Sequence, residues 1–162
     1  PASAAPLRAA PELGRPMSDA TTLLVIAPIG LPPYAARGLK QSLTPIGAAT
    51  AMRRTVNGTL VDLSDPAFRK YASTISCSDQ QAPAVDGVWP GDTVIVDCIV
   101  ELAREAGTGD VGAGRTVVPG SEREEGDFVF YRPRLTMLVT GHQVNRDEYG
   151  ATTDWSMTLE EA

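Results

Sequence analysis

The chain has 162 residues, 43% of them hydrophobic and 21% charged, enough for one domain with a core of its own. A formal charge of −6 argues against a general nucleic-acid binder, which carries a basic footprint. Fifteen glycines and thirteen prolines favour short strands and turns over long helices.

Residues 1–16, PASAAPLRAAPELGRP, have no periodicity that could bury a face. Pro1, Pro6, Pro11 and Pro16 exclude a continuous helix, and Leu7 and Leu13 are the only large apolar side chains. The segment reads as an extended Ala/Pro-rich arm that orders only where a neighbouring subunit holds it, with Arg8 and Arg15 as interface candidates. Met17-Ser18-Asp19 reads as a natural chain start, which makes the arm an extension. Residues 17–162 are expected to form a single β domain. The start lacks the charged and apolar regions of a signal peptide. The longest apolar run, LLVIAPIGL at 23–31, is too short to span a bilayer. A soluble protein assembled in the cytoplasm is the expectation.

TLLVIAPI reads as an apolar strand and GLPPYAARG as a connection. In MRRTVNGTLVDLS, Asn57-Gly58 lies between β-prone runs and predicts a two-residue hairpin turn with positive φ at both positions. Ser64-Asp65-Pro66 reads as a cap before one or two helical turns in AFRKYA, with Phe68 and Tyr71 plugging the core. Cys77 and Cys98 lie in apolar strand-like runs and are expected as buried free thiols. Pro90-Gly91 sets a turn before TVIVDCIVEL, whose apolar length predicts a strand buried on both faces. Residues 106–127 form a polar, glycine-rich excursion. FVFY, RLTMLVTG and DWSMTLEE alternate, placing Phe128 and Phe130, Leu135, Met137 and Val139, and Trp155, Met157 and Leu159 inward. NRDEYGATT is a hairpin loop between the last two runs. The fold class is all-β, a sandwich or barrel of about seven strands with one short helix and an extended N-terminal arm.

Catalytic motifs do not emerge. GTGDVG at 107–112 matches a dinucleotide fingerprint in letters, but no helical period follows to receive a pyrophosphate. His142, the single histidine, lies in what reads as an exposed turn with no nucleophile motif beside it. Glu122, Glu124, Glu125 and Asp127 lack the alternating spacing of a calcium loop. No catalytic residue, metal or cofactor is expected. Arg53 and Arg54 are adjacent, so on a strand they point to opposite faces and do not converge on one anion. Docking on protein fits them better, one in a salt bridge and the other in an interface.

Residues 1–60 carry six basic and two acidic side chains, and residues 61–162 carry eight basic and eighteen acidic ones. That asymmetry fits two solvated surfaces. It also fits self-complementarity, in which the basic part of one copy meets the acidic part of the next.

Taken together, RRTVNGTLVDLSDPAFRKYASTISCSD, PAVDGVWPGDTVIVDCIVELA, FYRPRLTMLVTG and EYGATTDWSMTLEEA resemble small structural proteins of tailed-bacteriophage virions, tail-associated ones in particular. The resemblance covers about residues 21–162 and rests on strand texts and turns, with no catalytic signature. It implies assembly into symmetric rings through sheet edges and extended arms, partners among copies of the chain and other virion proteins, and no cofactor, nucleic acid or membrane. Capsid decoration is the alternative within that class. A carbohydrate- or receptor-binding module is the alternative outside it, with Trp89 in VWPGD as the credible stacking platform. A small hydrolase is the enzyme alternative.

Overall fold

The computed structural model describes residues 22–47, 52–63, 65–107 and 114–162. Its backbone is built from alternating apolar and polar positions. Successive side chains on a strand point to opposite faces, so each alternating run supplies one buried row and one open row. In chain order the strands are β1 (Val25–Ala27), β2 (Lys40–Pro45), β3 (Met52–Arg54), β4 (Leu60–Asp62), β5 (Tyr71–Asp79), β6 (Thr93–Asp97), β7 (Leu102–Glu105), β8 (Thr116–Val117), β9 (Arg123–Glu125), β10 (Phe128–Tyr131), β11 (Pro133–Arg146) and β12 (Thr153–Glu161).

The main sheet runs β1-β6-β11-β12-β5-β2, entirely antiparallel, with β8 also paired to β11. Arg134 sits opposite Asp97 on β6 and opposite Thr116 on β8, so these two strands flank β11 on opposite sides. A second sheet runs β7-β10-β9, and β3 and β4 form a ribbon by themselves. The all-β class holds, and the sheets are open, in keeping with a sandwich and not with the barrel alternative. The expectation of about seven strands fits the main sheet alone, because the stretches around it supply five short strands more.

One face of the main sheet holds the core: Ile26, Ile75, Val94, Val96, Leu135, Met137, Val139, Trp155, Met157 and Leu159 are all buried. Burying side chains of this size contributes about 1.5–3 kcal/mol each. Leu31, Leu39, Val85, Val88 and Ile99, from the connections, pack over them. The indole N–H of Trp155 donates to the carbonyl of Ala35 at 2.9 Å. Arg37 also donates from Nη2 to Asp79 at 2.7 Å. Together they tie the 33–37 connection to the sheet. The inward rows read from RLTMLVTG and DWSMTLEE are as expected, and so are the two buried free thiols.

Other expectations are corrected. The helix is a single 3₁₀ turn, Pro66–Phe68, because Tyr71 is already opposite Pro45 in the sheet. Phe68 is 65% exposed, and only Tyr71 packs against the core. TVIVDCIVEL is not one strand. β6 ends at Asp97, where the amide of Ile99 turns to the Gln41 side chain, and β7 resumes in the other sheet. Its outer row is open, with Ile95 46% exposed, so it is not buried on both faces. TLLVIAPI yields only the three-residue β1, and the 106–127 excursion contains β8 and β9. Residues 1–16, with Arg8 and Arg15, lie outside the described residues, as does most of GTGDVG.

Candidate interaction surfaces

The β3–β4 ribbon is built by its turn. Thr55 N–H donates to Thr59 C=O and Gly58 N–H to Thr55 C=O, both at 2.9 Å. Val56 and Asn57 are therefore the central pair, one residue earlier than the expected Asn57-Gly58. Arg54 pairs with Leu60, which leaves a longer loop than a two-residue turn. Such loops close with a turn followed by a left-handed glycine, and Gly58 has φ of 80°.

All six strand residues of this ribbon are exposed. Directly paired residues share a face, so Met52, Arg54, Leu60 and Asp62 lie on one side and Arg53 and Val61 on the other. Met52 is 56% and Leu60 53% exposed, and Val56 at the tip is fully exposed. Arg54 Nη1 donates to Gly58 C=O at 3.0 Å, and Asp62 lies 3.6 Å from Arg69. The expected salt bridge for one of the arginines is not formed among the described residues. Arg54 bonds only to backbone, and Arg53 has no ion pair there.

The β7-β10-β9 sheet has the opposite character. Phe128 stands directly between Glu105 on β7 and Glu125 on β9, all three exposed on one face. Phe130 follows on the same face, under the guanidinium of Arg123 at 4.5 Å from its ring centre. Arg123 also pairs with Glu101 at 3.0 Å and with Glu125. Stretches 101–105 and 122–128 hold six carboxylates against two arginines. The inward placement of Phe128 and Phe130 is overturned: Val129 and Tyr131 are the buried pair, and Phe128 is 48% exposed. FVFY is apolar at every position, so alternation could not choose the phase.

Trp89, the remaining candidate, is 71% exposed. Its turn is rigid: Asp92 N–H donates to Trp89 C=O, Gly91 has φ of 102°, and the Asp92 carboxylate accepts the Trp89 amide at 2.8 Å. Two further backbone bonds, Gly91 N–H to Val139 and Val139 N–H to Asp92, fasten that turn to β11. Arg53 and Arg54 therefore share β3, and Trp89 lies apart from them in the turn before β6.

Across β2, β5 and β12 the outer face of the main sheet carries a row of small hydroxyl side chains. Ser42, Thr74 and Thr158 face one another across three strands, and Thr140 donates to Thr158 at 2.9 Å. A shallow hollow of about 460 Å³ beside them is lined by Lys40, Ser76, Ser78, Asn145, Asp154 and Ser156. On the same face Asp97, nearly buried, takes both ends of the Arg134 guanidinium.

Three titrating groups have shifted pKa values with clear causes in the fold. Hydrogen bonds from Arg37 lower the Asp79 carboxyl to about 2, with the amides of Arg37 and Gln80 adding to the effect. Burial pushes the Cys98 thiol up to about 11 and raises Cys77 as well. Both thiols therefore stay protonated near neutral pH, unlike an activated nucleophile. His142 lies on β11 opposite Met157, just past a bulge between Val139 and Gly141, so the expected turn is a strand. Among the described residues no group of three or more His, Cys, Asp or Glu could hold a metal ion. No helix there is long and apolar enough to cross a membrane. Compared with known proteins, the chain matches no family model, no curated protein and no solved structure.

Proposed function

We propose that the chain is a non-enzymatic structural subunit that assembles into symmetric rings with copies of itself, in the tail or baseplate of the kind of virion its sequence resembles. One observation carries this reading. The β3–β4 ribbon exposes Met52, Val56, Leu60 and Val61, with Leu63 just beyond it, and has no side chain buried. A two-stranded ribbon is marginal in water by itself, and clustered exposed apolar side chains mark surfaces that a partner covers. The charge asymmetry between residues 1–60 and 61–162 supports the same reading. Rings arise when two different patches of one chain meet and the rotation closes. A place on the capsid surface as a decorating protein is the alternative position for the same assembly activity.

Light scattering of the full chain, beside a version lacking residues 2–16, tests the proposal. The full chain should give a mass several times 17.1 kDa, and the shortened chain should keep its β circular dichroism while assembling more weakly. A full chain that stays monomeric at high concentration overturns the reading.

The exposed Trp89 on its fastened turn favours a second reading, a saccharide- or receptor-binding module. Titration with a panel of oligosaccharides, read by tryptophan fluorescence, separates the two. Saturable quenching lost in Trp89→Ala supports the second reading.

A further inference from the structure

The arginines of the ribbon and the carboxylates of the β7-β10-β9 sheet are complementary in charge. One side of the ribbon presents Met52, Leu60 and Arg54, with Asp62 at the open end beside Arg69, and Arg53 lies on the other side, in the middle pair. The outer side of the sheet presents Phe128 between Glu105 and Glu125. Among the described residues Glu105 has no ion pair, and Glu125 forms an ion pair with Arg123 alone, which is shared with Glu101. The sheet therefore has carboxylate to spare, and the ribbon has guanidinium to spare.

We propose that the β3–β4 ribbon of one copy docks on the outer face of the β7-β10-β9 sheet of a second copy. Met52 and Leu60 cover Phe128, and Arg54 meets one of the two carboxylates that flank it, Glu105 or Glu125, with Arg53 at the rim. An aromatic centre ringed by charged pairs is the usual arrangement of a docking patch. A second copy is the occupant because both halves of the match lie on this one chain. The two patches differ, so the contact is head-to-tail and propagates from copy to copy. This inference rests on the assembly reading and names the surfaces that carry it.

The test uses the full chain in three forms: wild type, a ribbon variant (Arg53→Glu with Arg54→Glu) and a sheet variant (Glu105→Lys with Glu125→Lys). All four positions are exposed, and circular dichroism checks that each form is folded. Sedimentation velocity should show the wild type associating and each variant weakened by at least about tenfold, since like charges then face each other. A 1:1 mixture of the two variants should associate again, because the reversed ribbon fits the reversed sheet and the native ribbon fits the native sheet. Wild-type association that both variants retain, or variants that stay monomeric when mixed, overturns the placement and leaves assembly standing. A wild type that never associates overturns assembly itself, and this contact with it.

Discussion

Trp155→Phe probes the joint between the main sheet and the connection that covers it. Trp155 is 3% exposed, and its indole N–H donates to the carbonyl of Ala35, itself fully buried, at 2.9 Å. Phenylalanine removes the donor and leaves that carbonyl dry, which costs about 1–3 kcal/mol. The smaller ring also gives up buried apolar area and leaves a void, about 1 kcal/mol more. The sum is about 2–4 kcal/mol. For a chain of this size each kcal/mol moves the midpoint by about 2–4 °C, so Tm should fall by roughly 4–16 °C. Urea unfolding followed by circular dichroism measures the loss, with an unchanged slope showing that the unfolded state is the same. Emission adds a second readout, because Trp89 is then the only tryptophan and is already exposed. Its emission should shift little on unfolding. A cost below about 0.5 kcal/mol refutes the joint, since no arrangement with the N–H satisfied and buried could be that cheap to break.

Asp79 should give stability an acid limb. Its folded carboxyl lies at about 2, below the usual carboxylate value, so its contribution is complete above about pH 4 and is lost as pH falls towards 2; Asp79→Asn should flatten that limb in acid-unfolding curves. Cys98 works in the other direction. With the folded thiol at about 11, its contribution is present below about pH 9 and is lost as pH rises towards 11, and Cys98→Ala should remove that alkaline loss in urea midpoints measured from pH 8 to 11. Alkylation without reductant should label Cys77 and Cys98 once the chain is unfolded and hardly at all while it is folded; a two-dalton deficit with no labelling would show a bridge instead. Gly58→Val should distort the ribbon turn at a local cost of about 1–2 kcal/mol. Because the ribbon stands off the core, hydrogen exchange should rise at residues 52–62 with the global Tm nearly unchanged.

Much of the main sheet was legible because its central strands alternate. DWSMTLEE does so throughout and RLTMLVTG breaks the pattern only at Leu138, so period two has one solution. FVFY offers apolar side chains at every position, so only the tertiary placement of β10 could decide that Val129 and Tyr131 go in and Phe128 stays out. Phe128, half of the proposed docking patch, was hidden for that reason. TVIVDCIV misled in a related way. An apolar run reads as buried on both sides, yet Ile95 faces outward and the chain leaves the sheet after Asp97, which turns to Arg134. β2 offered almost no signal, since KQSLTP is a polar edge strand whose place depends on pairing with β5. The ribbon itself was plain from Asn57-Gly58. Only its register slipped, because residues 54 and 60 pair and the glycine takes the position after the turn.

The central claim is that this chain works by joining copies of itself. Native mass spectrometry of the full chain, from micromolar to high concentration and at low and high salt, addresses it most directly. The account predicts discrete multiples of the 17.1 kDa subunit that lose population as salt screens the arginine–carboxylate contacts. A single 17.1 kDa species at every concentration and salt would contradict it.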